Sequence, residues 1–199
     1  MDRICIFVRH GESQSNINHT WSDEVDRYPL TEGGAIEVDE AAKKLSRIRK
    51  FAGFYSSPIL RARQTAEIIS KRIRMEPEIT ELLKERGFGK YNNMSFKDAK
   101  ERRGIVRKQI EEGYPEWESW QSMIDRITEF SRALKPGISI AVTHMDPIRP
   151  LITSFRGGDE PSMFDVRLDN ASFNIIDFDK TREEAILAID GSEIPERLG

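Results

Sequence analysis

Cysteine is almost missing: Cys5 is the single one among 199 residues. One thiol cannot close an internal disulfide, which excludes a stapled secreted scaffold and agrees with a reducing compartment. Inside the run Ile4-Cys5-Ile6-Phe7-Val8 it reads as a small hydrophobe in a buried strand. No apolar run nears the roughly 18 residues of a membrane-spanning helix. The chain opens on Met1-Asp2-Arg3 and a strand rather than on a leader, so a cytoplasmic protein is expected. Charge of one sign is lacking too. Lys and Arg number 31 against 34 Asp and Glu, a net −3 that gives no general attraction to nucleic acid or to an anionic membrane. Repeats, low-complexity tracts and Pro/Gly/Ser-rich linkers are absent, and a single domain over 1–199 is expected. A chain this long buries roughly 70% of its unfolded surface, so its core needs no metal. It also has no HExxH-type ligand cluster.

What is present alternates between strand and helix. Residues 3–8 form a nearly all-apolar strand, the pattern of a strand covered on both faces. Val38, Ala41, Ala42, Leu45 and Ile48 share one face of a helix over 32–50. A short strand over 51–56 leads into Ser57-Pro58, which predicts an N-cap with proline at the first helical position. The helix behind it carries Leu60, Thr65, Ala66, Ile69 and Ile73 on one stripe. Further helices are predicted over 95–112 and 119–134, and strands over 138–142, 173–178 and 185–189. Asp146-Pro147 repeats the cap-then-proline signal and opens a helix to Phe155. The fold class is α/β: a three-layer sandwich with a mostly parallel central sheet and helices on both faces.

Polar side chains gather where buried strands end, the edge at which open α/β sheets place ligands. Arg9 and His10 follow the first strand, Arg61 lies in the first turn after the second, and His144 follows a later one. Two guanidiniums and two imidazoles suit a tetrahedral oxyanion, because arginine offers paired donors matched to phosphate oxygens. Helix N-termini near Pro58 and Pro147 would add backbone N–H groups. Taken alone, His10 is better explained as a buried, hydrogen-bonded histidine at a strand end.

Five stretches change that balance: VRHGESQSN at 8–16, PLTEGG at 29–34, SSPILRARQTA at 56–66, LKERGFG at 83–89 and AVTHMDPIR at 141–149, with LDNASF at 168–173 after them. In this order the sequence resembles the histidine phosphatase superfamily, the phosphoglycerate mutase-like family, over nearly its whole length. The resemblance implies a phosphoglycerate mutase-like fold and a metal-independent phosphomonoester hydrolase without cofactor. His10 would be the nucleophile, and Glu85 the proton donor that later activates water. Arg9, Arg61 and a charged His144 would hold the transferring group, with Asn16 and the Met145 N–H as further phosphate contacts. The expected substrate is a small phosphorylated molecule or a phosphoprotein.

Glu85 competes with a plainer reading, since it stands in the charged run Lys84-Glu85-Arg86 where a surface ion pair would serve. Arg63 reads as a solvated charge and His19 as an ordinary loop residue. The family commonly shows an aromatic-Glu-Gly step after the position of Gly89, where this chain has Lys90-Tyr91-Asn92-Asn93. It often has two glycines after the second histidine, where Met145 and Asp146 stand. Asp146 is expected to cap the helix begun by Pro147. Residues 90–125 are expected to cover the pocket. Their Lys97, Lys100, Arg102, Arg103, Arg107 and Lys108 fit either a lid for substrates with several anionic groups or a solvated helix face. Tyr91, Tyr114, Trp117 and Trp120 fit either stacking on substrate or anchoring of the lid. Two other functions fit the resemblance, a phosphoglycerate mutase and a non-catalytic phospho-ligand-binding module. The segment after Glu85 is short and lacks the Arg-Arg-Ser-Tyr step of the mutases, which favours hydrolysis.

Overall fold

A computed structural model describes residues 2–198. Met1 and Gly199, the ends of the single domain expected over 1–199, lie outside the described residues. The elements run β1 (Arg3–Arg9), α1 (Gln14–Ile17), α2 (Glu32–Leu45), β2 (Gly53–Ser56), α3 (Leu60–Ile73) and β3 (Glu78–Ile79). They continue with α4 (Ala99–Glu111), α5 (Trp120–Ala133), β4 (Gly137–Thr143), α6 (Met145–Phe155), β5 (Phe173–Asp177), α7 (Arg182–Ala185) and β6 (Ile186–Gly191). The strands form one sheet of order β3-β2-β4-β1-β5-β6. β3, β2, β4 and β1 are parallel, and β5 runs antiparallel to both of its neighbours. This is the expected α/β sandwich with a mostly parallel sheet.

Period-2 alternation in β1 explains the layering. Ile6 and Val8 face a core shared with Val38 and Leu45 of α2 and Ala62, Ala66 and Ile69 of α3. Cys5 and Phe7 face the opposite core, with Ile127 and Phe130 of α5 and Ile148, Leu151 and Ile152 of α6. Cys5 is fully buried, and burial pushes its thiol up, as a packing residue should behave. A third cluster of Trp21, Phe88, Val106 and Trp117 packs segment 88–117 onto the loop after α1.

Local signals misplace four helix ends, one of them the start of α4, expected at 95 but set at Ala99 by the Asp98 carboxylate, which accepts the Lys100 and Glu101 N–H groups. The apolar face expected to 50 continues to Ile48, but α2 stops at Leu45 and Ile48 packs from a turn closed by its N–H on the Leu45 carbonyl, 3.0 Å. The predicted Ser57 cap fails because α3 starts at Leu60, behind Ile59 at the cap position. Ser57 instead follows directly on β2, its N–H donating to the Val142 carbonyl of β4 at 2.9 Å, and its hydroxyl turns to His144. Asp146 does not cap α6 either: His144 holds that position and Asp146 lies inside the first turn. Its buried carboxylate accepts from the Arg149 guanidinium at 3.3 Å, a partner one turn ahead that competes with the cap geometry.

Close backbone packing joins β1 to α2. A Cβ on Gly34 would stand 2.0 Å from the Glu12 carbonyl oxygen and 2.7 Å from the Glu12 nitrogen. Gly34→Ala must therefore push the backbone two residues beyond His10. Urea unfolding should show a loss of about 1–3 kcal/mol, the usual cost of overpacking.

Candidate active site

Register fixes what meets at the carboxyl edge. Arg9 stands beside Thr143, and Ser56 beside Val142, so β1, β2 and β4 end level. The His10 N–H extends the ladder onto the Thr143 carbonyl at 3.0 Å. His10, Ser57 and His144 thus emerge side by side, and the His10 and His144 rings lie 5.1 Å apart at 60°. Arg61, in the first turn of α3, is buried among them, its Nε–H donating to His10 Nε2 at 3.1 Å. The four residues expected to converge from distant stretches do so.

The His10 ring is oriented from both sides. Its Nδ1 stands 2.7 Å from the Gly11 carbonyl, an acceptor only, while Nε2 faces the Arg61 donor. These partners assign the proton to Nδ1 and the lone pair to Nε2. Burial, then Arg61 and Arg9, pull the His10 pKa well below its ordinary value, so the ring is neutral. The backbone around it is braced by Thr65, which accepts the Gly11 N–H at 3.2 Å, and by Asn170, whose amide donates to the His10 carbonyl at 3.0 Å. The motif around Asn170 is thereby a support for His10, a role its sequence does not announce.

His144 departs from expectation in its charge. Burial first, then Arg61 and His10, hold its pKa well below the ordinary value, so it is neutral rather than charged. Ser57 Oγ accepts the Ile59 N–H at 3.3 Å and lies 2.8 Å from His144 Nε2. With the hydroxyl proton directed to Nε2, the His144 proton sits on Nδ1, on the side of the Glu85 carboxyl 3.8 Å away. That Nδ1 is buried without a partner, as are Arg9 Nε and Arg61 Nη1. Unpaired buried donors cost about 1–3 kcal/mol each, and three of them on residues around one imidazole mark a place built for an anion. Arg9 spends another nitrogen on the Leu168 carbonyl. Burial chiefly lowers its pKa to about 10, and Arg149, Arg102 and Arg61 add to that against the pull of Glu85.

Arg86 is fully buried and the Glu85 side chain only 11% exposed, and of the charged run only Lys84 makes a surface ion pair, with Glu81 at 3.2 Å. Glu85 Oε1 accepts the Arg86 N–H at 2.9 Å, and Oε2 stands 3.8 Å from both Arg61 Nη2 and His144 Nδ1. Burial and then the neighbouring Asp146 push its carboxyl up to about 7. Arg86 is fully buried, with its guanidinium 4.8 Å from the ring centroids of both Tyr114 and Trp117. It anchors the loop that carries Glu85.

The raised carboxyl has a consequence for stability. Below pH 4.5 both the folded and the unfolded chain hold the Glu85 proton; between 4.5 and about 7 the unfolded chain loses it first, and stability falls with rising pH. The difference in unfolding free energy between Glu85→Gln and wild type should therefore grow, in the variant's favour, by about 3 kcal/mol from pH 4.5 to 8. Urea titrations at the two pH values measure it, and a constant difference would contradict the assignment.

The cavity over His10 holds about 180 Å³ and is lined by Arg9, His10, Arg61 and Glu85 with Asn16, Met145, Ser22, Trp21, Phe88, Phe96 and Arg102 among its walls. Asn16 Oδ1 is taken by the Ser13 N–H and hydroxyl at 2.9 Å each, so its amide N–H groups are the end left to act as donors. Of the basic residues at 97–108, only Arg102 reaches this cavity; Arg107 pairs with Glu111 at 2.7 Å. Tyr91, Tyr114 and Trp117 pack in the third cluster, which answers the choice between stacking and anchoring in favour of anchoring for them; Trp120 opens α5. His19 also lines the cavity, with φ 49°, tilted against Phe96 at 5.9 Å. Sequence reading misses this wall because it is made by pairing of 19–24 with 92–96, for instance the Asn93 N–H on the Trp21 carbonyl at 2.7 Å. No helix among the described residues is long and apolar enough to cross a membrane.

Comparison with known proteins agrees with this geometry. The model of the histidine phosphatase superfamily (branch 1) matches residues 5–190. A 2,3-bisphosphoglycerate-dependent phosphoglycerate mutase of Thermoplasma acidophilum is 36% identical over 177 residues, 88% of this chain and 87% of its own. An uncharacterized phosphatase, PhoE, of Bacillus subtilis is 27% identical over 184 residues, 89% of each chain. The solved structure of YhfR from Bacillus stearothermophilus superposes with a TM-score of 0.77 at 20% identity, covering 96% of this chain and 98% of its own. The fold is that of the phosphoglycerate mutase-like α/β enzymes, phosphatases and phosphotransferases. Within it, the chain belongs to the histidine phosphatase superfamily.

Proposed function

We propose that the protein is a phosphatase that hydrolyses phosphomonoesters through a phosphohistidine on His10. The observation that carries this reading is the ring of unpartnered buried donors on Arg9, Arg61 and His144 around a neutral His10 whose Nε2 lone pair accepts only from Arg61. A bound phosphoryl group would draw the Arg61 Nε–H from Nε2 onto an oxygen and release the lone pair. Nε2 then attacks phosphorus, the N–P bond forms, and the ester P–O bond breaks. Glu85, protonated up to about pH 7, gives its proton to the leaving oxygen. In the second displacement Glu85 takes a proton from water, whose oxygen bonds to phosphorus as the His10–P bond breaks. Arg9, Arg61, His144, Asn16 and the Met145 N–H hold the non-bridging oxygens throughout. No metal or cofactor enters this scheme, and the substrate is a small cytoplasmic phosphomonoester or a phosphoprotein.

The mutase relative at 36% identity supports a second reading, transfer of phosphate between hydroxyls of phosphoglycerate. One experiment separates the two: hydrolysis of p-nitrophenyl phosphate, and isomerisation of 3-phosphoglycerate primed with 2,3-bisphosphoglycerate. Hydrolysis should proceed without primer, survive a chelator and be inhibited by vanadate. Primed isomerisation faster than hydrolysis would reverse the assignment, and loss of turnover in chelator would point to a metal-dependent phosphoesterase.

A further inference from the structure

A cleft of about 880 Å³ opens between α4 and the turn at Pro161–Asp165, beside the cavity over His10. Arg102 lines both spaces. The cleft floor is apolar, with Val106, Ile110 and Phe164, while Lys100, Arg103, Arg107 and Arg149 join Arg102 around it. Two acids stand against these five cations, one of them, Glu111, held by Arg107 at 2.7 Å, while Arg149 is already paired with the buried Asp146 at 3.3 Å. Among the described residues, Lys100, Arg102 and Arg103 have no carboxylate within salt-bridge distance. This is a local excess of positive charge in a chain whose net charge is −3.

Size separates the two spaces. The cavity over His10 holds about 180 Å³ and the cleft about 880 Å³. Arg102 is the wall they share, so a leaving group too long for the smaller space can run past it into the larger. Arg102 and Arg149 also both act on Arg9, lowering its pKa, so the cleft and the phosphate pocket belong to one positive field.

We propose that this cleft receives the far end of an elongated substrate, one whose leaving group bears a second anionic group separated from the phosphate by an apolar stretch. The assignment rests on the phosphatase reading for the phosphate end and adds the substrate class. The apolar floor takes the linking segment, and the cationic rim takes the distal anion.

Non-hydrolysable probes test the cleft without turnover. Calorimetric titration of the full chain would compare propane-1,3-, hexane-1,6- and decane-1,10-bisphosphonate with the alkylphosphonates of equal length. At least one of the longer bisphosphonates should bind about tenfold or more tightly than its monophosphonate partner, as two well-placed charge pairs would give. Arg103→Glu/Arg107→Glu should abolish that advantage, while the charge-matched Arg132→Glu/Lys135→Glu, on the exposed end of α5 and beyond, should keep it. Equal affinities at every length would overturn the proposal in wild type alone, whatever the variants do. An advantage that persists in the cleft variant, or vanishes equally in the control, would also overturn it. Hydrolysis of p-nitrophenyl phosphate, too short to reach the cleft, reports separately on the phosphatase reading.

Discussion

His10→Gln should lower kcat/KM for p-nitrophenyl phosphate by about four orders of magnitude or more, the scale seen when a covalent nucleophile is removed. Glutamine can still accept a hydrogen bond from Arg61, so the cationic pocket keeps a partner for that side chain. It has no nitrogen lone pair free to form the N–P bond. Phosphate binding, followed by calorimetry, should survive in the variant, which separates loss of the nucleophile from loss of the site. Trapping of a phosphorylated protein by rapid acid quench should succeed with wild type and fail with His10→Gln. Turnover of the variant at the wild-type rate would remove His10 from the mechanism.

Arg61→Ala should lower kcat/KM by about 10²–10³-fold, the cost of losing one preorganised donor to a developing oxyanion. Three functions leave with this guanidinium. It orients the His10 lone pair at 3.1 Å, it presents an unpartnered donor to the phosphate, and it is the largest charge holding His10 neutral. A cation beside an imidazole disfavours the protonated form, so its removal lets the His10 pKa rise. The acid limb of the kcat/KM profile should accordingly move to higher pH in Arg61→Ala. Lysine should not restore the rate, because one ammonium cannot serve His10, phosphate and the Ser22 carbonyl, which Arg61 also reaches at 2.8 Å. An unchanged acid limb together with wild-type turnover would contradict the role.

The parts of the site that can be read from sequence are those attached to the ends of parallel strands. Arg9, His10 and His144 each follow an apolar run directly, and the βα topology delivers such positions to one edge whatever the intervening chain does. What resists reading depends on contacts between distant side chains. Ser57 looks like a helix cap because Ser-Pro usually is one, yet its hydroxyl serves an imidazole 87 residues away. Asp146 carries a local cap signal that Arg149 overrides in the fold. Arg86, in a stretch dense with charge, is wholly buried because two aromatic rings from 114 and 117 close over it. Trp21, Phe96 and Arg102 become walls of one cavity through a pairing of two loops that no periodicity encodes.

The position of β1 carries a consequence for biosynthesis. β1 is made before both of its neighbours, β4 and β5, and residues that pin its end, Leu168 and Asn170, follow the positions they hold by 159 and 160 residues. An N-terminal half released early would leave β1 without either neighbour, its apolar faces open to other chains. Pairings of such long separation close slowly, and exposed strands of this kind invite aggregation. Expression yield should therefore fall sharply on truncation near residue 165, which removes β5 together with the residues that pin the end of β1.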